Sequence, residues 1–335
     1  MKTKIFITGS SGFIGFHVAK KYLDKGLKVH GLDSMNNYYD VNLKRSRLKI
    51  LSKYKNFSFT KGNITNYKIL SKIVSKFKPS IIIHLAAQAG VRYSIENPKV
   101  YLDSNIIGSY NILEIAKKIR IKHLIMASSS SVYGANTRFP FREIDKTDHQ
   151  ISFYAATKKS SESLAHSYSN LWKLPITILR FFTVYGPWGR PDMAYFKFTK
   201  NILKGKKIEI FNKGKMYRDY TYIDDITDGV YKLSNKIPNI KKNKKFKNDS
   251  LSHVAPIRIL NIGNTKKINL LDFIITLEKI LGKKAIKKFM PMQKGDVQST
   301  LSDTSLLKKI TGYNPKTKYQ EGIKKFLDWY LNYYN

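Results

Sequence analysis

The chain has 335 residues and no cysteine, and 61 Lys and Arg against 23 Asp and Glu give it a formal net charge of +38. That length holds two domains or one large α/β unit, and the missing thiols exclude disulfides, thiolate catalysis and cysteine-based zinc sites, so no metal is expected. No run approaches the ~18–20 consecutive apolar residues of a membrane span, and the charge is Lys scattered beside abundant Ile, Asn, Tyr and Phe, the usage of an AT-rich genome, so neither membrane nor nucleic acid is an expected partner.

Met1-Lys2-Thr3-Lys4 leads straight into an apolar run with no space for an apolar leader, so a cytoplasmic location is expected. That run, Ile5-Phe6-Ile7, reads as a buried strand. Thr8-Gly9-Ser10-Ser11-Gly12-Phe13-Ile14-Gly15 follows, then Phe16, Val18, Ala19, Tyr22 and Leu23 at helical spacing. Strand, glycine turn and helix are the context in which such a pattern holds a dinucleotide. Gly9 permits the turn, Gly12 lets the backbone approach a pyrophosphate, and Gly15 lets helix and strand pack closely. A second strand over 29–32 ends in Asp33, about twenty residues beyond the glycines, where a carboxylate accepts from a ribose 2′-hydroxyl and repels a 2′-phosphate. No Arg stands at Ser34 or Met35, so NAD is predicted rather than NADP.

A turn-rich loop, Ser34-Met35-Asn36-Asn37-Tyr38-Tyr39-Asp40, precedes a basic helix with Leu43, Leu48 and Leu51 on one face. A strand over 56–60 ends at Gly62-Asn63-Ile64. A helix carrying Ile69, Leu70, Ile73, Val74 and Phe77 leads to the strand Ile81-Ile82-Ile83, which ends in His84-Leu85-Ala86-Ala87. Small residues there leave space for a ligand across the sheet edge. One long helix is predicted over 100–120, then a strand over 123–127 ending in Ser128-Ser129-Ser130-Ser131. A helix over 152–172 and a strand over 176–179, ending at Arg180-Phe181-Phe182-Thr183, complete the alternation. The pattern predicts an α/β fold, a Rossmann-type doubly wound parallel sheet.

Beyond Thr183, Pro187, Gly189 and Pro191 break the chain. Shorter elements follow: helices over 195–203, 224–233, 270–281 and 319–334, and strands over 208–211 and 257–262. They predict a first domain over 1–182 and a smaller α/β substrate domain over 183–335, with 222–235 and 257–263 able to pack back on the first. The polar stretch 238–252, with Lys241-Lys242-Asn243-Lys244-Lys245, reads as a loop insertion.

The chemical signal is Tyr154-Ala155-Ala156-Thr157-Lys158. Positions i and i+4 share a helix face. An ammonium beside a phenol favours the phenolate and lowers a pKa of ~10. Tyr154 is thereby a candidate general base.

With these residues the chain resembles the extended short-chain dehydrogenase/reductase superfamily, in its nucleotide-sugar epimerase/dehydratase branch. Besides the glycine turn, Asp33, His84-Leu85-Ala86-Ala87, the serine run and the Tyr–Lys pair, the resemblance rests on Tyr217-Arg218-Asp219-Tyr220-Thr221-Tyr222-Ile223-Asp224-Asp225. Within the branch it is most similar to UDP-glucuronate 4-epimerases. That match uses Asn36-Asn37-Tyr38-Tyr39-Asp40, Gln88-Ala89-Gly90-Val91-Arg92-Tyr93-Ser94, the stretch 180–194 and 291–297. Asn63 replaces a usual Asp, Lys294 a usual Pro, and Tyr217 a basic or apolar residue.

The resemblance implies NAD held by Gly9, Gly12, Phe13, Ile14, Gly15, Asp33, Asn63, Ile64, Leu85, Ala86, Ala87, Lys158 and Phe181. It implies catalysis by Tyr154, Lys158 and Ser129, through a 4-keto sugar. It implies a UDP-sugar against Gln88, Arg92, Ser129, Ser130, Thr183, Arg190, Arg218 and Asp296, with Thr183, Ser130 and Arg190 as candidates for a sugar carboxylate. A homodimer through the helices near 100–120 and 152–172 is implied too. Ser130 and Ser131 stand where dehydratases carry an Asp-Glu pair and decarboxylases a Glu. A UDP-glucose or UDP-N-acetylhexosamine 4-epimerase shares the chemistry and stays open, as does a non-catalytic NAD- or RNA-binding relative.

Overall fold

The computed structural model describes residues 3–241 and 246–334. The Lys242-Asn243-Lys244-Lys245 part of the basic run lies outside them. In chain order the elements are β1 (Lys4–Thr8), α1 (Phe13–Asp24), β2 (Lys28–Asp33), α2 (Val41–Leu51), β3 (Phe57–Lys61), α3 (Tyr67–Phe77) and β4 (Ile81–His84). Two single turns, α4 (Tyr93–Glu96) and α5 (Pro98–Tyr101), lead through a π-helical turn, Leu102–Ile107, into α6 (Gly108–Lys118). There follow β5 (His123–Ser129), α7 (Phe153–Trp172), β6 (Ile176–Phe181), β7 (Thr183–Tyr185), α8 (Ala194–Leu203), β8 (Lys207–Ile210) and β9 (Tyr217–Tyr222). The chain ends through α9 (Ile223–Leu233), β10 (Ile257–Ile262), β11 (Lys267–Asn269), α10 (Leu270–Leu281), β12 (Ile286–Phe289), α11 (Ser305–Thr311) and α12 (Tyr319–Tyr334).

Seven strands form one sheet in the order β10-β6-β5-β4-β1-β2-β3. Every pairing in it is parallel. A parallel sheet is covered on both faces, which is why Ile81, Ile82 and Ile83 are all buried and show no alternation. The order reverses between β1 and β4, and a crevice opens there at the strands' C-terminal ends. β10 is the seventh strand although it comes late in the sequence, and α9 packs on α1. The remaining strands make a three-stranded sheet, β11-β9-β7, and a pair, β12-β8, beside the crevice.

Local chemistry sets the boundaries. Asp40, Asn66, Ser152 and Asn269 cap α2, α3, α7 and α10 by accepting a backbone N–H within the first turn. Left-handed Gly282 and Gly312 end α10 and α11. The single helix predicted over 100–120 is instead two α segments joined by the π turn. The extra residue in that turn carries Asn105 into the core. Its amide accepts from Gln88 N (2.9 Å) and donates to Gln88 O (3.0 Å) and Thr157 Oγ1 (3.0 Å), fixing the strand-end loop against α7.

Candidate active site

All the candidate residues line one cavity of about 1310 Å³ at the crevice. Its walls come from the ends of β1, β2, β4, β5 and β6, from α7, and from the 183–218 segment.

At the glycine turn, Gly9 has φ +74° and donates to Leu32 O (2.7 Å), and Gly12 donates to Gly9 O (3.0 Å). A Cβ on Gly9 would press on the backbone of Ala86, and one on Gly15 would run into the Gly9 carbonyl. The turn therefore keeps a bare backbone facing the cavity at the start of α1, a cradle that fits a pyrophosphate. Asp33 is buried at the end of β2 and accepts from Ser11 N (3.0 Å) and Met35 N (2.9 Å), which fixes its carboxylate beside the turn. Phe13 and Ile14 open α1. Asn63 and Ile64 follow β3, Leu85, Ala86 and Ala87 follow β4, and Phe181 ends β6.

Ser129 ends β5, and Tyr154 and Lys158 occupy the first two turns of α7. Ser129 faces Tyr154 across the cavity, and its hydroxyl lowers the pKa of the Tyr154 phenol. Lys158 Nζ donates to Ala127 O (2.8 Å), and burial lowers its pKa to about 8 against a raising effect of Glu162. Tyr154 differs from the expectation. Burial holds its phenol above the ordinary tyrosine value, while the Ser129 hydroxyl and the Arg190 charge pull it down. Lys158 donates to a carbonyl rather than to the phenol, so proximity on one helix face does not by itself make a phenolate.

Beneath this centre lies a buried pair that the sequence did not single out. Arg180 donates to Glu162 through Nε (2.9 Å) and Nη2 (2.8 Å), and Ser128 Oγ donates to the same carboxylate (2.6 Å). The spacing Tyr154, Lys158, Glu162 at i, i+4 and i+8 was the available signal.

On the substrate side, Ser130 begins a short 3-10 turn after β5 and Thr183 begins β7. Arg190 forks onto Asp192 through Nε (3.0 Å) and Nη2 (2.5 Å), and the Tyr38 hydroxyl approaches the same carboxylate (3.4 Å). Asp192 and Tyr38 are additions that an Arg-x-Asp spacing could have suggested. Arg92 stacks over Phe211 (4.5 Å), and the buried Nε2 of Gln88 has no hydrogen-bond partner among the described residues. Arg218 and Asp296 meet each other (2.8 Å). Asp219, adjacent to Arg218, instead accepts from the backbone of Asn264, Thr265 and Ser302 as a structural hub. Among the described residues no group of His, Asp and Glu could hold a metal ion, and no helix is long and apolar enough to cross a membrane.

The NAD dependent epimerase/dehydratase family matches residues 5–247, and the chain belongs to it. The chain is 51% identical over 334 residues to Protein CapI of Staphylococcus aureus, covering 99% of each. It is 48% identical to a probable UDP-glucuronate 4-epimerase of Rhizobium meliloti, covering 98% of this chain and 96% of that one. Among solved structures it is similar to UDP-glucuronic acid 4-epimerase from Bacillus cereus in complex with UDP-glucuronic acid and NAD, with a TM-score of 0.89, 33% identity, and 99% and 100% coverage. The enzyme is thus NAD-dependent, and the glycine cradle and the buried Asp33 fit that cofactor.

Proposed function

We propose that this chain interconverts UDP-glucuronate and UDP-galacturonate by epimerisation at C4. The observation that carries the reading is that Ser129, Tyr154, Lys158, Thr183 and Arg190 line the same cavity as the glycine turn and Asp33. The cofactor is held by the glycine turn, Asp33, Asn63, Ile64, Leu85–Ala87 and Phe181 on the sheet half of the chain, 1–182, with Lys158 on its ribose. The sugar nucleotide lies against 183–335, with Arg92, Arg218 and Asp296 towards its diphosphate and base.

Bound NAD supplies the hydride acceptor and donor at C4, and a positive ring that acts on the Tyr154 phenol in the same sense as Arg190. Tyr154 removes the proton of O4 as C4 becomes a ketone, and Ser129 hydrogen-bonds O4 and relays the proton. Tyr154 returns the proton once the keto sugar has turned over, so the protein ends each cycle unchanged. The intermediate of a glucuronate is a β-keto acid, which loses carbon dioxide if its carboxylate is poorly held. Thr183, Ser130 and Arg190 grip that carboxylate. The fork of Arg190 onto Asp192 uses Nε and Nη2, which leaves Nη1 to turn to the carboxylate. Ser130 and Ser131 add no acid that would drive dehydration.

A charge-assisted hydrogen bond to the carboxylate contributes ~1.5–3 kcal/mol, tenfold or more in discrimination over a neutral hydroxymethyl. Arg190→Ala should accordingly weaken turnover of UDP-glucuronate much more than of UDP-glucose, and release some decarboxylated pentose product. Incubation with both UDP-sugars and separation of the products tests the reading. Faster turnover of UDP-glucose by the unaltered protein would overturn it.

The enzyme works in the cytoplasm, where NAD and UDP-sugars are pooled, and feeds cell-surface polysaccharide synthesis. It acts as a homodimer. Leu102, Ile107 and Tyr110 on one helical run and Phe153, Leu171 and Trp172 on α7 are all exposed, and α6 and α7 pack side by side. Such a patch suits a second copy of the same surface.

A further inference from the structure

Arg47, on α2, is fully buried, yet it lies outside the catalytic centre and makes no ion pair among the described residues. Its Nη1 donates to Ser11 O (2.9 Å) in the glycine turn and to the Tyr39 hydroxyl (2.9 Å). Its Nη2 donates to Trp188 O (2.5 Å) and Gly189 O (3.2 Å). All four acceptors are neutral oxygens, and they come from three separate stretches of chain. A buried guanidinium whose hydrogen bonds all go to neutral oxygens is costly, so its retention calls for a use beyond filling space.

The two carbonyls it draws together are an unusual pair. Trp188 has φ +59°, in the left-handed region, where a bulky residue is a genuine outlier. That conformation sits in the loop that Arg47 holds by two successive carbonyls. The same loop is pinned a second time, by His17 Nε2 on Pro187 O (3.0 Å), and the Trp188 ring packs against Phe16, Trp329 and Tyr333. Backbone strain of this kind persists where the surroundings over-determine it, and it clusters at binding clamps. Two residues further on stands Arg190, paired with Asp192, whose carboxylate Tyr38 also meets. Tyr38 in turn adjoins Tyr39, the phenol that receives Arg47.

We propose that Arg47 is a positioning residue that ties the cofactor's glycine turn to the 186–192 loop, so that the enzyme's preference for a carboxylate at the sugar C5 depends on a side chain that touches neither sugar nor cofactor. It acts through Arg190, and the inference therefore rests on the carboxylate reading above. The tie needs a planar fork with donors in fixed directions, which Lys does not provide.

The test uses NAD-loaded protein with Arg47→Lys, which keeps the charge and loses the fork. The backbone amides of Gly186, Trp188, Gly189 and Arg190 should exchange with solvent faster than in the unaltered protein. The ratio of kcat/KM for UDP-glucuronate to that for UDP-glucose should fall roughly fivefold or more, the scale of a coupling between two sites. The fall should come mainly from KM for UDP-glucuronate. A double variant with Arg190→Ala should lose no more of that ratio than Arg190→Ala alone. Fully additive losses, or unchanged exchange and an unchanged ratio in Arg47→Lys, overturn the proposal. If Arg190→Ala itself leaves the ratio intact, it is the carboxylate reading that fails, and exchange at 186–190 still decides the tie. Should Arg47→Lys not fold, Tyr39→Phe removes one of the four acceptors. It should raise exchange at 186–190 in the same direction, and unaltered exchange there counts against the proposal.

Discussion

Replacing Glu162 by Gln probes how far α7, which carries Tyr154 and Lys158, depends on the pair beneath it. The Arg180 and Glu162 side chains are 2% and 3% exposed and bonded through two nitrogens, with Ser128 Oγ on the same carboxylate. Gln preserves the volume and removes the charge, so Arg180 is left buried beside a neutral amide. Breaking a buried pair by removing one partner costs ~3–5 kcal/mol. At about 2 °C per kcal/mol for a chain of this size, the melting temperature should drop by roughly 6–10 °C. A second effect reaches the chemistry. The Glu162 charge raises the pKa of Lys158, which burial has already lowered to about 8. Without that charge Lys158 gives up its proton at lower pH, so the alkaline limb of the pH–rate profile should move towards neutrality. Calorimetry of the NAD-loaded proteins and a pH series of kcat/KM read the two effects separately. An unchanged melting temperature together with an unmoved alkaline limb would refute the reasoning.

Tyr154→Phe should keep NAD bound while turnover falls by the ~10²–10⁴ typical of losing an acid–base group, and near-normal epimerisation would remove Tyr154 as the base. Asp33, fixed by Ser11 N and Met35 N, should make the protein select NAD, so equal affinity for NADP in a titration would contradict that role. Burial lowers His17 and His84 to about 3 and His123 to about 4, all below the unfolded value, so the stability they contribute is present above pH ~6.5 and is lost as pH falls towards those values. Glu143, raised to about 7 by burial, works in the opposite sense over pH ~4.5–7 but offsets only part of what the lowered imidazoles lose, so stability should fall between pH 7 and 5; urea midpoints that rise on acidification would show the sign to be wrong. Duplex DNA at physiological salt should bind no more tightly than the ~10⁻⁴–10⁻⁶ M of non-specific contacts, and a nanomolar, sequence-dependent complex would contradict the view of the Lys excess as compositional.

What was legible in the sequence is what local rules write. Strand, glycine turn and helix around 5–23 are consecutive, so one stretch carries their geometry, and Tyr154 and Lys158 share a face because four residues complete about one turn. The later helices are legible for the same reason: α10 and α12 have the bounds that apolar spacing predicts over 270–281 and 319–334. The sheets beside the crevice were less so. β11 has three residues and β12 shows no buried face, so neither leaves an alternation to read.

The site eluded sequence reasoning where its order depends on partners far along the chain. Arg218 pairs with Asp296, not with the neighbouring Asp219 or Asp224, because Asp219 turns into the core to satisfy three backbone amides. Spacing shows that an acid is near in sequence, but a side chain goes where unpaired donors are, and those are fixed by the fold. Tyr154 makes the same point in energy. Its position on α7 follows from a helical repeat, whereas its proton affinity is a balance of burial, a serine from β5 and an arginine from the 186–192 loop. Three elements must meet before that balance exists. A loop held by Arg47 and by the Arg190–Asp192 pair places one of those charges, so under the proposed mechanism the acidity of the Tyr154 phenol and the grip on a sugar carboxylate depend on the same few bonds.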